Sequence, residues 1–320
     1  MECLDIDTTH RMNRLTYNFL GGPLGHQDVS GAPPQKRRTI YDAGHKQGLP
    51  GQVVRHEGQA AVGDVSANEA YDGLGDTFDF FLSAYQRNSI DNAGLPLNAS
   101  VHFASGYNNA FWNGQQMVFG DGDGVIFNRF TISLDVIGHE LAHGVTGSEA
   151  NLTYQGQSGA LNESLSDVFG SLVKQHKLKQ TAAKADWLIG AGLLAPGIKG
   201  VALRSMKKPG TAYNDPILGK DPQPADMAHF VSTTQDNGGV HINSGIPNRA
   251  FFLLATALGG HAWEKAGQIW YDTVSDRQLS HSASFRQFCN RTVAHAAQRY
   301  GATSVEQKAV VDSWKRVGVM

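Results

Sequence analysis

The 320 residues contain only two cysteines, Cys3 and Cys289, so no disulfide framework holds this chain together. No apolar run is long enough to span a bilayer, and the chain carries no internal repeat or low-complexity tract. Met1-Glu2-Cys3-Leu4-Asp5-Ile6-Asp7 is acidic and lacks an apolar core, which argues against a Sec signal peptide. An excess of charge is missing too. A formal charge of -2 gives no reason to expect nucleic acid or an anionic membrane as partner. Apolar material is plentiful: 41% hydrophobic residues are ample for a core, and the length suits two compact lobes or one large one with a cleft.

Within that frame His139-Glu140-Leu141-Ala142-His143 is the most informative stretch. Two histidines four apart on a helix project from one face, one turn above the other. Both imidazoles can then reach one tetrahedral zinc, with Glu140 beside it as candidate general base. The helix is expected to start at Ser133 as N-cap and to end at Thr146, with Gly147 as its stop. Gly138 and Gly144 weaken it, and tertiary packing must offset that cost. A third ligand is required. Gly159 to Gly170 reads as the next helix, where Glu163 and Asp167 lie four apart among Leu165, Val168 and Phe169. Carboxylates on so apolar a helix need partners, and metal ligation by Glu163 with a bond from Asp167 to a metal-bound histidine would supply them.

The rest of the chain falls into recognisable texture. Residues 1–38 are broken by Gly21-Gly22-Pro23 and Pro33-Pro34 and close on Lys36-Arg37-Arg38, the pattern of a tail or short pro-segment. Gly51 to Arg55 is β-prone, and Ser66-Ala67-Asn68-Glu69 reads as a capping box that opens a helix. Its apolar stripe is Ala70, Leu74, Phe78, Phe81, Leu82 and Tyr85. Strands are expected over Ser100–Ala104 and Gln116–Phe119, with Asn108-Asn109-Ala110 suited to an edge strand that faces a ligand. Gly120-Asp121-Gly122-Asp123-Gly124 lacks the full calcium-loop pattern and reads as a turn. Ile246 to Leu258, His261 to Val274, Ala283 to Tyr300 and Ser304 to Val317 read as four helices, while Asp236 to Gly245 interrupts the pattern.

From Thr39 to its C-terminus the chain resembles the thermolysin family of zinc metallopeptidases, in its protealysin-like subgroup. The likeness rests on Asn108-Asn109-Ala110-Phe111-Trp112, the His139–His143 pentad, Asn162 to Asp167, Leu203-Arg204-Ser205-Met206 and Asp236 to Gly245. It implies an α+β fold of two lobes: residues 39–146 β-rich and ending in the metal helix, residues 147–320 mainly helical, with the cleft between them. It implies one zinc per chain, held by His139, His143 and Glu163. Asp167 would orient His139, and Asn162 would support His143. Tyr154 and His241 would stabilise the oxyanion, with Asp236 orienting His241. Arg204 would clamp a substrate carbonyl, and Asn109 with the Ala110 carbonyl would hold the peptide backbone. Phe127, Phe130, Val136, Ile189 and Leu203 match the family's apolar pocket, which implies cleavage on the N-terminal side of large hydrophobic residues.

The expected activity is therefore zinc-dependent endopeptidase action on peptides or proteins, by a monomer. A zinc aminopeptidase would share the pentad, but would need an acidic anchor for a free amine beside Asn109. A catalytically dead zinc-binding module of the same fold would have no use for Glu140, His241 and Arg204 together. The family's paired calcium site is expected to be lost, because Lys174, Leu188 and Ala191 stand where carboxylates would be needed beside Asp135 and Asp186. Lys174 would pair with the two retained carboxylates instead. Residues 1–38 would act as an intramolecular pro-segment over the cleft, and Cys3 is a candidate to offer its thiolate to the zinc. Secretion follows from the resemblance, and a cytoplasmic site from the missing Sec signal.

Overall fold

The computed structural model describes residues 33–320, so Cys3 and most of the expected pro-segment lie outside the described residues. Five strands form one sheet: β1 (Arg38–Asp42), β2 (Gln52–His56), β3 (Leu97–Val101), β4 (Ala110–Trp112) and β5 (Met117–Phe119), in the order β2-β1-β3-β5-β4. β1 pairs antiparallel to β2 and parallel to β3, β3 is parallel to β5, and β4 closes antiparallel to β5 as an edge. Helix α1 (Val65–Tyr85) packs on β1 and β3 and on the helix that follows the sheet. Beyond it come α2 (Leu134–Ser148), α3 (Gly156–Lys177), the short hairpin β6 (Leu188–Ile189) and β7 (Arg204–Ser205), and a second hairpin, β8 (Asn214–Asp215) and β9 (Gly219–Lys220). The chain ends in α4 (Asp236–Asn243), α5 (Gly245–Leu258), α6 (Ala266–Val274), α7 (Phe285–Tyr300) and α8 (Val305–Arg316). This is the expected α+β arrangement of a sheet-bearing N-terminal region and a helical C-terminal one. One continuous core runs from Ile40 in β1 to Val319 beyond α8.

Several local expectations change. Helix α1 is capped by Asp64, whose Oδ1 accepts from the amides of Ser66 and Ala67, not by a Ser66–Glu69 box. Glu69 is already engaged, accepting from Arg129 and from the Thr131 hydroxyl. Ser133 does hold the N-cap position of α2, but its hydroxyl donates to Asp135 Oδ1 at 2.5 Å and caps no backbone amide. Gly147 does not stop α2, which runs on to Ser148; the Ser148 hydroxyl donates to the Ile90 carbonyl at 3.1 Å. The third strand lies three residues before its expected place. At the N-terminus the folded body begins earlier than residue 39. Arg38 is the first residue of β1, buried, with its guanidinium on Glu57 and on the Tyr71 carbonyl, and Lys36 pairs with Asp79 at 2.7 Å.

The weak positions of α2 have a packing reason. A Cβ on Gly138 would lie 3.0 Å from Gly170 Cα, and one on Gly170 would lie 2.2 Å from the Asp135 carbonyl oxygen. The two helices therefore cross backbone to backbone where their side chains are absent. That close crossing brings α3 against the face of α2 that carries both histidines. Gly170→Ala is expected to push the helices apart and lower unfolding free energy by about 2–3 kcal/mol, since neither backbone can yield cheaply. Urea unfolding monitored by circular dichroism measures this, and an unchanged midpoint would refute the crossing as a constraint.

Candidate metal centre and cleft

The pentad lies on α2 with both histidines buried, and α3 runs against it with Glu163 2% exposed. His139 Nε2 and His143 Nε2 are 3.1 Å apart; Glu163 Oε2 is 3.4 Å from the first and Oε1 3.5 Å from the second. Nitrogen and oxygen ligands of a tetrahedral zinc stand about 2.1 Å from the ion, hence about 3.4 Å from one another. The three side chains thus already have the spacing of a tetrahedral face, and His139, Glu140 and His143 also form a group compact enough to hold an ion.

Each of the two histidines is aimed by a second bond. His139 Nδ1 meets Asp167 Oδ1 at 2.7 Å, and His143 Nδ1 meets Asn162 Oδ1 at 2.7 Å and the Ser166 hydroxyl at 3.0 Å. Such bonds select the tautomer that turns Nε2 to the metal. Sequence reasoning passed over Ser166, whose only signal is its place one turn from Asn162 on the same helix. Asp167 is fully buried and makes further bonds. Its Oδ2 accepts from Arg204 Nε at 2.8 Å and from Asn248 Nδ2 at 2.8 Å, while Oδ1 also accepts from Arg204 Nη2 at 2.7 Å. Arg204 is therefore a bidentate partner of Asp167 as well as a wall of the cleft, which leaves three of its five N–H groups for other acceptors.

Burial would raise the Asp167 carboxyl's pKa, yet the charges of Arg204 and His139 hold it well below the usual carboxylate range. Glu163 behaves likewise: burial opposes ionisation, but His241, His143 and His139 together win. Burial pulls His139 down, and Asp167 and Glu163 more than reverse it, pushing the imidazole up to about 9.

Across the cleft, the Tyr154 hydroxyl donates to Glu163 Oε1 and lies 3.2 Å from His241 Nε2. His241 Nδ1 meets Asp236 Oδ1 at 2.5 Å, and its amide donates to Asp236 Oδ2 at 2.8 Å. The segment that read as an interruption is the start of α4, and it begins left-handed: Asp236, Asn237, Gly238 and Gly239 have φ of 51°, 48°, 81° and 77°. Asp, Asn and Gly are the residues that tolerate this region, and the turn folds the Asp236 carboxylate back over His241.

The fourth wall is β4. Asn113 N–H donates to the Gln116 carbonyl and Gly120 N–H to the Asn109 carbonyl, so residues 109, 111 and 113 pair inward with β5. Ala110 and Trp112 then turn their backbone groups to the open edge, where the Trp112 amide donates to Glu140 Oε2 at 3.2 Å. Between these walls is a cavity of about 530 Å³ lined by Asn109, Ala110, Phe127, Phe130, Val136 and Leu203, with Arg204, Tyr154, His241 and the ligand residues. Ile189 is fully buried in β6, paired to Arg204, and does not line the cavity. Tyr213 does line it, although no sequence motif marked it.

Known proteins share this arrangement. Residues 31–147 match the family model described as the thermolysin metallopeptidase catalytic domain, and residues 150–319 match that of its alpha-helical domain. The chain belongs to the thermolysin family and is a metalloendopeptidase, a class whose members are zinc enzymes. Within that family it falls in the protealysin-like subgroup. It is 59% identical to the precursor of protealysin, a metalloproteinase from Serratia proteamaculans, whose structure superposes with a TM-score of 0.89 over 98% of each chain. An extracellular metalloprotease of Pectobacterium carotovorum subsp. carotovorum is 61% identical across 89% of this chain and 82% of that protein. A thermolysin from Bacillus sp. (strain EA1) is 39% identical across 87% of this chain and half of that protein.

Because His139 stays protonated up to about pH 9 before metal enters, zinc must displace that proton. Apparent zinc affinity of the metal-free protein should therefore fall by at least about tenfold per pH unit on going from pH 8 to pH 6. Competition with a chromophoric chelator at several pH values measures this, and a flat profile would contradict the protonated ground state.

Proposed function

We propose that this metalloendopeptidase cuts extended peptides on the N-terminal side of large hydrophobic residues, with His139, His143 and Glu163 as zinc ligands and Glu140 as general base. The observation that carries the reading is the near-tetrahedral spacing of the three ligands beside Glu140, in a cavity that faces an open strand edge. The working unit is two lobes, to about residue 146 and from 147 on, with the metal at their seam. His139, His143 and Glu163 would hold the zinc, which would supply Lewis acidity that lowers the pKa of a bound water towards about 7. Glu140, whose Oε1 is 4.0 Å from His139 Nε2, accepts the proton of the attacking water and returns it to the departing amine.

Asp167 and Asn162 keep the two imidazoles aimed, and Asp236 does the same for His241. When the carbonyl becomes an oxyanion, the Tyr154 hydroxyl turns to it from Glu163, and His241 Nε2 donates beside it. The substrate backbone lies along β4 as an added strand, taking the outward backbone groups of Ala110 and the side-chain amide of Asn109. Arg204, anchored on Asp167, offers its remaining N–H groups to a substrate carbonyl. Phe127, Phe130, Val136 and Leu203 receive the side chain that follows the cleaved bond, with Ile189 buried behind Arg204. Residues 1–38, most of which lie outside the described residues, are proposed as an intramolecular pro-segment that is removed on activation. Export follows from the relatives named extracellular, and no helix among the described residues is long and apolar enough to cross a membrane.

Glu140→Gln should lower kcat by about a thousandfold while zinc stays bound, because the carboxamide cannot accept the proton. Near-normal turnover of an N-terminally blocked peptide by that variant would sink the mechanism. A cleavage-site profile of a blocked peptide library should favour large apolar residues after the cut by about 1–3 kcal/mol over small ones. A preference for charged residues there would overturn the pocket assignment.

The paired calcium site is proposed to be replaced by an internal cation. Lys174 Nζ lies 2.7 Å from Asp135 Oδ2, 3.0 Å from Asp186 Oδ1 and 2.7 Å from the Leu188 carbonyl. Burial lowers the ammonium's pKa, but the two carboxylates raise it above its ordinary value. Millimolar calcium should then leave Tm nearly unchanged. Lys174→Ala should destabilise by about 3 kcal/mol, because it strands the buried Asp135. A calcium-dependent rise of many degrees in the wild type would refute the replacement.

A further inference from the structure

A second cluster of ligand-type side chains lies at the far end of the sheet, outside the cleft. His45 follows β1, His102 follows β3, and Asp121 follows β5, so the ends of three neighbouring strands deliver one side chain each. Their ligand atoms all lie within 4.8 Å of one another. His102 Nδ1 is 3.0 and 2.9 Å from the two oxygens of Asp121, and His45 Nδ1 is 3.5 Å from Asp121 Oδ2. On its other side, His102 Nε2 meets Asp64 Oδ2 at 2.9 Å. The remaining Asp64 oxygen caps α1, so this carboxylate cannot swing away without uncapping the helix.

We propose that His45, His102 and Asp121 form a second divalent-metal site of the zinc class, with Asp64 as the carboxylate that orients His102. The chemistry of the set favours it. Two imidazoles and one carboxylate are borderline ligands suited to zinc, and three protein ligands leave the other positions to water. A carboxylate on the distal nitrogen is the arrangement that fixes a ligating histidine's tautomer and raises its basicity. The backbone is already set. His45 N–H donates to the His102 carbonyl at 2.9 Å and Ala43 N–H to the Val101 carbonyl at 3.0 Å, which locks the two histidine-bearing turns together. Burial lowers the pKa of His102, and Asp121 and Asp64 more than reverse it, which favours a proton on the metal-free ring. The metal replaces it on Nδ1. The site reaches the cleft through the loop after β5. Asp123 in that loop accepts from Asn108 Nδ2 at 2.8 Å, and Gly120 N–H holds the Asn109 carbonyl at 3.0 Å. An ion on Asp121 therefore pins the loop that braces the Asn108-Asn109 segment of the cleft wall.

The test compares the tag-free, zinc-loaded full chain with two variants. His45 is 61% exposed as a side chain and has φ of 57°, so His45→Asn removes the ligand while keeping a residue that tolerates the left-handed region. Asp121→Asn is the second variant. After equilibrium dialysis against tens of micromolar zinc, atomic emission should find one zinc more per chain in the wild type than in either variant. Zinc should also raise Tm of the wild type further than that of His45→Asn. Equal metal content in the wild type and His45→Asn would overturn the site, as would a zinc-dependent Tm rise that is the same in both. Peptidase activity retained by His45→Asn shows that the cleft zinc is intact, so the outcome is independent of the proposed catalytic mechanism.

Discussion

Asp167 is the group on which the functional half of this molecule depends. It is fully buried, and its two oxygens accept four bonds, from His139, from Arg204 twice and from Asn248. Those donors come from α2, β7 and α5, while Asp167 itself is on α3. One carboxylate thus ties four elements together. A buried carboxylate is costly unless every lone pair is used and a cation is near. Here both conditions hold, and the same bonds that satisfy it also aim the first histidine and hold Arg204 at the cleft. Stability and function share the group, so neither can be altered alone.

The second constraint is steric. The Glu163 carboxylate on one helix comes within 3.4–3.5 Å of the two imidazoles on the other only if the helices themselves are close. Gly138 and Gly170 permit that approach, at the expense of helix propensity in both elements. Along the β4 edge of the sheet the logic is different. β4 gives one side of its backbone to β5, and among the described residues no strand pairs with the other, where the Trp112 amide is lent to Glu140. An open edge is usually a hazard for aggregation. Facing into a cleft, it becomes a template that another extended chain can join.

Residues from distant parts of the chain were legible to different degrees. The pairs His139 with His143 and Glu163 with Asp167 were visible because helical periodicity converts i, i+4 into a shared face, and a shared face is a local property. The apolar stripe of α1 and the four C-terminal helices were visible for the same reason. Caps were less legible. Ser66 and Glu69 have the right spacing for a capping box, yet Asp64 lies nearer the orphan amides, and Glu69 is drawn off by Arg129 and Thr131 some sixty residues away. Tyr213 and Ser166 left no mark, since a lone tyrosine in a loop or a serine on a helix means nothing until folding places it. Asp236 to Gly239 read as a break because left-handed residues do not continue a helix, although here they open one.

The sequence by itself determined the family: two imidazoles at helical spacing with a glutamate beside them, two carboxylates at helical spacing further on, and five ordered motifs that match one family of peptidases. Short-range geometry suffices for that, because each motif is contained in a few turns of helix or a single strand. Only the tertiary structure decided how the motifs meet. The pairing of Arg204 with Asp167, the seating of Lys174 between Asp135 and Asp186, and the convergence of His45, His102 and Asp121 all join residues at least 12 positions apart. No periodicity encodes such meetings. They follow from helix crossings and strand order, which the chain as a whole must settle before any one side chain finds its partner.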